Sequence, residues 1–213
     1  MINTDKFLVT VIGSQNTGKS TFIKDVINKY KDNPIYEPFY TPEMDYRKVI
    51  ESKGLKINRE GNYESQRAIL DCLVDGTIEA IRNPEWKNVI FDRCPIDNIV
   101  YSLYLRGQDK ISGENIKQMI SEMKRFVRLY DAIIYIPLDH CEDIEVVDDK
   151  FRDTDLNYRT YVDHLFQKVI SDLDEIDRDK IVEIYGTRND RLAMFFEELN
   201  HKFVVKNQWQ TSF

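Results

Sequence analysis

Apolar residues along this chain gather in short, nearly unbroken runs: Phe7–Ile12, Val89–Phe91, Ala132–Ile136 and Ile181–Ile184. Runs of strand length without polar alternation read as parallel strands covered on both faces. Ile35–Tyr40 is a weaker run, interrupted by Pro38 and closed by Pro42, and reads as a short, edge-like strand. Helical spacing fills the intervals. Thr21–Ile27 reads as the opening turns of one helix. Glu64–Arg82 carries Ala68, Ile69, Cys72, Leu73, Gly76, Ile78 and Ala80 along its length and stops at Pro84. Ile96–Arg106, Glu114–Leu129, Asp155–Leu173 and Arg188–Asn200 complete the set. Helices alternating with buried strands predict an α/β fold, an open parallel sheet of about five strands flanked by helices. Residues 1–200 read as a single domain. In the tail 201–213, Phe203, Val204, Val205, Trp209 and Phe213 predict packing on that domain or on a partner subunit, which leaves a homodimer open.

Composition narrows the class without naming the chemistry. A length of 213 residues suits one α/β domain, and 8 Gly with 6 Pro leave no linker to divide it. The net charge of -7 argues against broad electrostatic capture of nucleic acid, although one local basic groove is compatible with it. Cys72, Cys94 and Cys141 are odd in number and far apart, so neither a disulfide framework nor a paired-cysteine metal site is expected. That usage suits a reducing, cytoplasmic setting. His140, His164 and His201 have no metal-ligand spacing. No leader is expected ahead of the first strand, and no apolar run is long enough to span a bilayer.

The sharpest chemical signal lies at Gly13-Ser14-Gln15-Asn16-Thr17-Gly18-Lys19-Ser20, which satisfies G-x-x-x-x-G-K-[ST] between a strand and a helix. Glycines there let backbone N–H groups converge on a polyphosphate, and the helix N-terminus adds its partial positive charge. Gly13, Ser14, Asn16, Thr17, Gly18, Lys19, Ser20 and Thr21 are thus expected to hold a nucleoside triphosphate, as in P-loop NTPases. Lys19 would bridge the β- and γ-phosphates and Ser20 would ligate Mg²⁺. A second segment, Asn88–Arg93, ends a buried strand in Asp92-Arg93. An acid at that rim suits a Mg²⁺ site, the alternative being a helix cap ahead of Pro95. The adjacent Arg93 suits a kinase, which must grip an acceptor beside the γ-phosphate.

Two further constellations follow from charge. Arg152 and Arg159 stand seven residues apart, so on one helix they would share a face about 20° out of register. A mobile arginine pair at the mouth of a phosphate site can neutralise charge during transfer, and Arg152 is the better single candidate. The competing reading is a solvated acidic loop, since Glu142, Asp143, Glu145, Asp148, Asp149, Asp153 and Asp155 surround the pair. A hydroxyl acceptor also needs a carboxylate within hydrogen-bond reach, and Glu43 past the second strand is the leading candidate. Tyr63 and Gln66, at the start of the long central helix, are candidates to line the acceptor pocket.

Phe91-Asp92-Arg93-Cys94-Pro95 resembles the second signature of P-loop nucleoside and nucleotide kinases, and especially of the nicotinamide riboside kinase-like ATPases. Thr41-Pro42-Glu43 with Arg47 is similar to that group's acid-and-arginine segment, one residue longer here between acid and arginine. Phe151–Arg159 is similar to its arginine-bearing lid, and Ile184–Leu192 to its adenine-side loop. The resemblance implies an ATP- and Mg²⁺-dependent kinase acting on a nucleoside, a nucleotide or nicotinamide riboside. It implies Arg47 and Arg159 toward the acceptor, and Thr187 and Arg191 near adenine. Glu37, in Tyr36-Glu37-Pro38, resembles the base segment of deoxynucleoside kinases and competes with Glu43. A kinase of nucleic-acid ends or modified bases, served by Lys48, Lys53, Lys56 and Arg59, is the second reading. A non-catalytic ATP-binding module is the third. No Asn-Lys-x-Asp guanine-reading segment supports a GTPase.

Overall fold

The computed structural model describes residues 6–31, 37–140 and 153–210, with side chains not described at residue 140 or beyond residue 199. Five strands form one parallel sheet: β1 (Phe7–Ile12), β2 (Phe39–Tyr40), β3 (Asn88–Asp92), β4 (Ala132–Tyr135) and β5 (Ile181–Glu183). Their order across the sheet is β2-β3-β1-β4-β5. Eight α-helices occur among the described residues: α1 (Lys19–Tyr30), α2 (Tyr46–Ser52), α3 (Tyr63–Arg82), α4 (Pro95–Arg106), α5 (Gly113–Val127), α6 (Leu156–Ser171), α7 (Glu175–Arg178) and α8 (Arg188–Gln210).

Alternation along β1 divides the core into two layers. Leu8 and Ile12 face one way, joining Leu70 of α3, Ile96 and Val100 of α4, Met119 of α5 and Phe166 of α6. Phe7, Val9 and Val11 face the other way, against Phe22 and Val26 of α1 and Phe195 and Leu199 of α8. Strands β1 and β4 are buried along their whole length, which is why their sequences read as nearly unbroken apolar runs. Local signals set the helix starts. Asn62 and Ser65 form a reciprocal capping box for α3, and Pro95 occupies the first turn of α4.

Two boundaries differ from the sequence expectation by more than two residues. Helix α8 continues over residues 201–210 instead of stopping at Asn200, because no glycine or proline follows Arg188 to break it. The second strand is only Phe39–Tyr40, since Pro38 has no N–H to add to a ladder; part of the expected Ile35–Tyr40 run lies outside the described residues. Among the described residues no helix is long and apolar enough to cross a membrane.

The chain leaves β1 between its two neighbours, β3 on one side and β4 on the other. That crevice, at the C-terminal ends of strands where the winding direction reverses, is where open α/β sheets bind ligands.

Candidate active site

The loop between β1 and α1 is shaped by three residues with positive φ, Gly13 at 142°, Asn16 at 54° and Gly18 at 84°. A Cβ on Gly13 would stand 2.5 Å from the carbonyl oxygen of Ile136, so no side chain fits there. Gly18 caps α1 in the left-handed conformation with no side-chain hydrogen bond, which leaves the helix N-terminus uncovered by a capping group. Lys19 is buried, and its ammonium donates to the carbonyl oxygens of Gly13, at 2.9 Å, and of Ser14. The loop therefore already converges on the lysine.

Residues from the far end of the chain brace the loop from outside the cavity. Arg159 on α6 donates through Nε to Gln15 O at 3.1 Å and through a terminal nitrogen to Asn16 O at 3.2 Å. Ser14 returns a bond to Arg159 O, and Arg191 on α8 donates to Thr17 O at 2.8 Å. Both guanidiniums are buried against the loop rather than lining the cavity. Arg159 is thus not brought to the acceptor. Thr187 lies in the turn before α8, exposed, its hydroxyl and N–H both bound to Asp190. Arg152 lies outside the described residues.

Ser20 and Asp92 form the candidate metal pair. Parallel register sets Val11 beside Asp92, and the Ser20 hydroxyl donates to Asp92 Oδ2 at 2.7 Å. Among the described residues no cluster of three metal-ligating side chains exists. A hydroxyl and one carboxylate suit Mg²⁺, which keeps several waters and takes its remaining oxygens from phosphates.

Arg93 follows with φ at 85°, its N–H bound to Val11 O at 3.1 Å, so its side chain turns toward the cavity. The guanidinium lies over the rings of Tyr46 and Tyr101, 5.9 and 5.7 Å from their centroids, and donates to Asp97 Oδ1 at 3.2 Å. Asp97 also accepts the Cys94 N–H that opens α4. Burial pushes the Asp97 carboxyl up to about 6, although Arg93 and Lys19 pull it down. A raised folded-state value means that the native protein binds this proton more tightly than the unfolded chain. Stability from this group therefore falls as pH rises from 3.8 toward about 6, so the ionised carboxylate costs stability while it orients Arg93. Turnover is expected to decline below about pH 6 as Asp97 protonates and releases the guanidinium. The pH profile of kcat/KM checks this, and Asp97→Asn should remove that acid limb while the rest of the profile keeps its shape.

A cavity of about 420 Å³ joins these groups. Its far end is lined by Glu43, Met44 and Asp45 ahead of α2, by Tyr46 and Arg47 in its first turn, by Gln66, Ile69 and Leu73 on α3, and by Asn98 and Tyr101 on α4. The Asn98 amide nitrogen donates to Gln66 O and Gln66 Oε1, at 2.8 and 2.9 Å. Asn98 Oδ1 is buried there without a hydrogen-bond partner among the described residues, and the buried Tyr101 hydroxyl lies beside the Arg93 guanidinium. Glu43 reaches this cavity, its carboxylate 3.5 Å from Lys48, whereas Glu37 does not line it. Tyr63 is a correction to the sequence expectation. It opens α3 and packs against Leu105, Ile111 and Ile116, outside the cavity, because its ring is taken up by that apolar cluster although it stands only one turn ahead of Gln66.

Sequence reading missed Asp45, Tyr46, Asn98, Tyr101 and the bridging role of Gln15. The Gln15 side chain donates to Asn58 Oδ1 at 2.9 Å and accepts from the Asp153 N–H at 2.6 Å. Asn98 and Tyr101 had one available signal, their spacing on the same face of α4 after Asp97.

A protein-family model described as an AAA domain matches residues 8–191. Curated proteins searched by sequence return no match. Among solved structures, a NadR protein in complex with NR superposes with a TM-score of 0.59 at 20% identity, covering 84% of this chain and 43% of that one. Thymidylate kinase from Candida albicans gives 0.63 at 16% identity, covering 92% and 93%. Deoxyadenosine kinase from M. mycoides, with dCMP and dCDP bound, gives 0.60 at 12% identity, covering 92% and 100%. The chain spans less than half the length of the NadR chains it matches. At these identities the likeness is one of fold, a P-loop fold shared with nucleoside and nucleotide kinases.

Proposed function

The chain belongs to the AAA-domain family, and from that premise we propose that it is an ATP-dependent kinase whose acceptor is the hydroxyl of a nucleoside-class molecule. One observation carries the reading. A single cavity runs from the phosphate loop, with Lys19, Ser20 and Asp92, to an end lined by Arg93, paired amides and apolar side chains. A switch or sensing module needs the first half and has no use for the second.

Charge favours a hydroxyl over a phosphate as acceptor. The cavity presents four carboxylates, Glu43, Asp45, Asp92 and Asp97, against Lys19, Arg47 and Arg93. Arg93 is already held by Asp97, so little positive charge is left for a second phosphate group. The apolar floor of Ile69 and Leu73 suits a flat base, and the Gln66–Asn98 amides suit its hydrogen-bonding edge. The nucleic-acid reading loses ground because its basic cluster is internally paired. Lys48 binds Asp45 at 2.8 Å, and Arg59 binds Asp153 at 2.6 Å and Asp155 at 3.2 Å. Partly neutralised cations of this kind make a poor electrostatic track.

The mechanism follows from these positions. Lys19 and the loop N–H groups hold the β- and γ-phosphates of ATP. Mg²⁺, taken up by Ser20 and Asp92, would neutralise the polyphosphate and screen the leaving group. Arg93 holds the acceptor beside the γ-phosphate. The acceptor oxygen forms the new P–O bond as the bond to the β-phosphate bridging oxygen breaks. Glu43 takes the hydroxyl proton, and ADP and the phosphorylated acceptor leave. Arg152 belongs to the same proposal as a second cation at the transferred group, as does a cytoplasmic setting for the enzyme.

The test is ADP formation with Mg²⁺ and ATP against matched nucleosides and their monophosphates. Stimulation by nucleosides at least about tenfold above that by monophosphates supports the charge argument. Preference for monophosphates overturns the choice of acceptor group, and stimulation only by oligonucleotide overturns the acceptor class.

A further inference from the structure

Gly76 stands near the middle of α3, where a glycine is unfavourable by about 1 kcal/mol relative to alanine. It is buried, and its φ is not in the left-handed region, so backbone conformation does not require it. Its reason lies across the groove. A Cβ placed on Gly76 would come 2.4 Å from Met44 Cγ and 2.6 Å from Met44 Sδ. The Met44 side chain is thus parked in the notch that the missing Cβ leaves. Met44 also lines the cavity, in the segment that carries Glu43 and Asp45. Gly76 lies one helical turn beyond Leu73, on the stripe of α3 whose Gln66, Ile69 and Leu73 form the cavity floor.

We propose that Gly76 and Met44 together set the depth of the acceptor pocket, making them its specificity-determining pair. With glycine at 76, the thioether withdraws into the helix surface and the pocket keeps its full depth beside Leu73. Any side chain at 76 expels it. Methionine is unbranched and has three rotatable bonds, so it can swing rather than break the helix packing. The space available to it is the cavity it already borders. The displaced thioether shortens the pocket by the thickness of about one side chain, which separates a two-ring base from a one-ring base. This inference rests on the reading of that cavity end as a nucleoside site.

The experiment pairs a crystal structure of Gly76→Ala with the ratio of kcat/KM for adenosine and deoxyadenosine to that for cytidine and thymidine. The expected result is Met44 turned into the cavity and a purine-to-pyrimidine ratio lowered about tenfold or more. Gly76→Ala combined with Met44→Ala should restore the ratio, which a merely structural role for Gly76 would not predict. Met44 displaced away from the cavity, or an unchanged ratio in the single variant, overturns the proposal. The structural readout separates two failures. Met44 displaced inward in a protein that accepts no nucleoside of either size would overturn the nucleoside reading and the specificity claim with it. An unmoved selectivity in an active nucleoside kinase would overturn the specificity claim alone.

Discussion

Lys19→Ala is expected to lower phosphoryl transfer by roughly 10²–10³-fold or more while the protein stays folded. The ammonium acts where negative charge shifts between the β- and γ-phosphates, and neutral alanine offers nothing in its place. Its hydrogen bonds to Gly13 O and Ser14 O lie within the loop itself. Their loss loosens the loop and leaves both layers of the sheet core intact, so the stability change should stay below about 3 kcal/mol. Steady-state kinetics beside a thermal melt check both halves. Near-normal turnover would contradict the assigned role, and an unfolded variant would contradict the claim that the lysine serves phosphate rather than the core. Lys19→Arg keeps a charge but not a compact one, and is expected to recover only a small part of the rate.

Arg93→Ala is expected to damage both catalysis and stability. The guanidinium sits between Tyr46 and Tyr101 and is paired with the buried Asp97. Removing it leaves a carboxylate without its cation, a defect that costs about 3–5 kcal/mol when both groups are buried. Its loss from the transfer point should lower kcat about 10²-fold or more. The two effects separate in a double variant. Arg93→Ala with Asp97→Asn removes the orphaned charge, so it should regain much of the stability without regaining turnover. Recovery of turnover in that variant would show that Arg93 matters only for packing. Arg93→Lys tests the geometry, since lysine cannot lay a flat face against both rings while it reaches Asp97.

What could be read before the fold was known depended on whether a signal was local. β1, the loop and α1 are contiguous, so strand, glycines and helix all appear in one window, and the expected strand Phe7–Ile12 is the observed one. Asp92-Arg93 was legible for the same reason, at the end of an apolar run. The roles of Arg159 and Arg191 were not legible, because each meets the loop across well over a hundred residues of chain. Nothing near Arg159 in sequence distinguishes an arginine that braces a loop from one that reaches a ligand. Glu43 led Glu37 on its position past the second strand, and the path of the chain after β2 brings Glu43 to the edge of the cavity. Tyr63 shows the opposite failure. A plausible residue type on the right helix was assigned to the pocket, but it belongs to the apolar cluster beside α4 and α5. Gly76 was counted among the positions at helical spacing, while the contact that explains a glycine there lies at Met44, in a separate segment.

The most direct test of the central claim is phosphorus NMR of the wild-type protein with Mg²⁺, ATP and a mixture of nucleosides. The account predicts that the γ-phosphate signal of ATP declines as ADP and a nucleoside monophosphate appear in equal amounts. ADP accompanied only by inorganic phosphate, or no ADP at all with ATP bound, would contradict it.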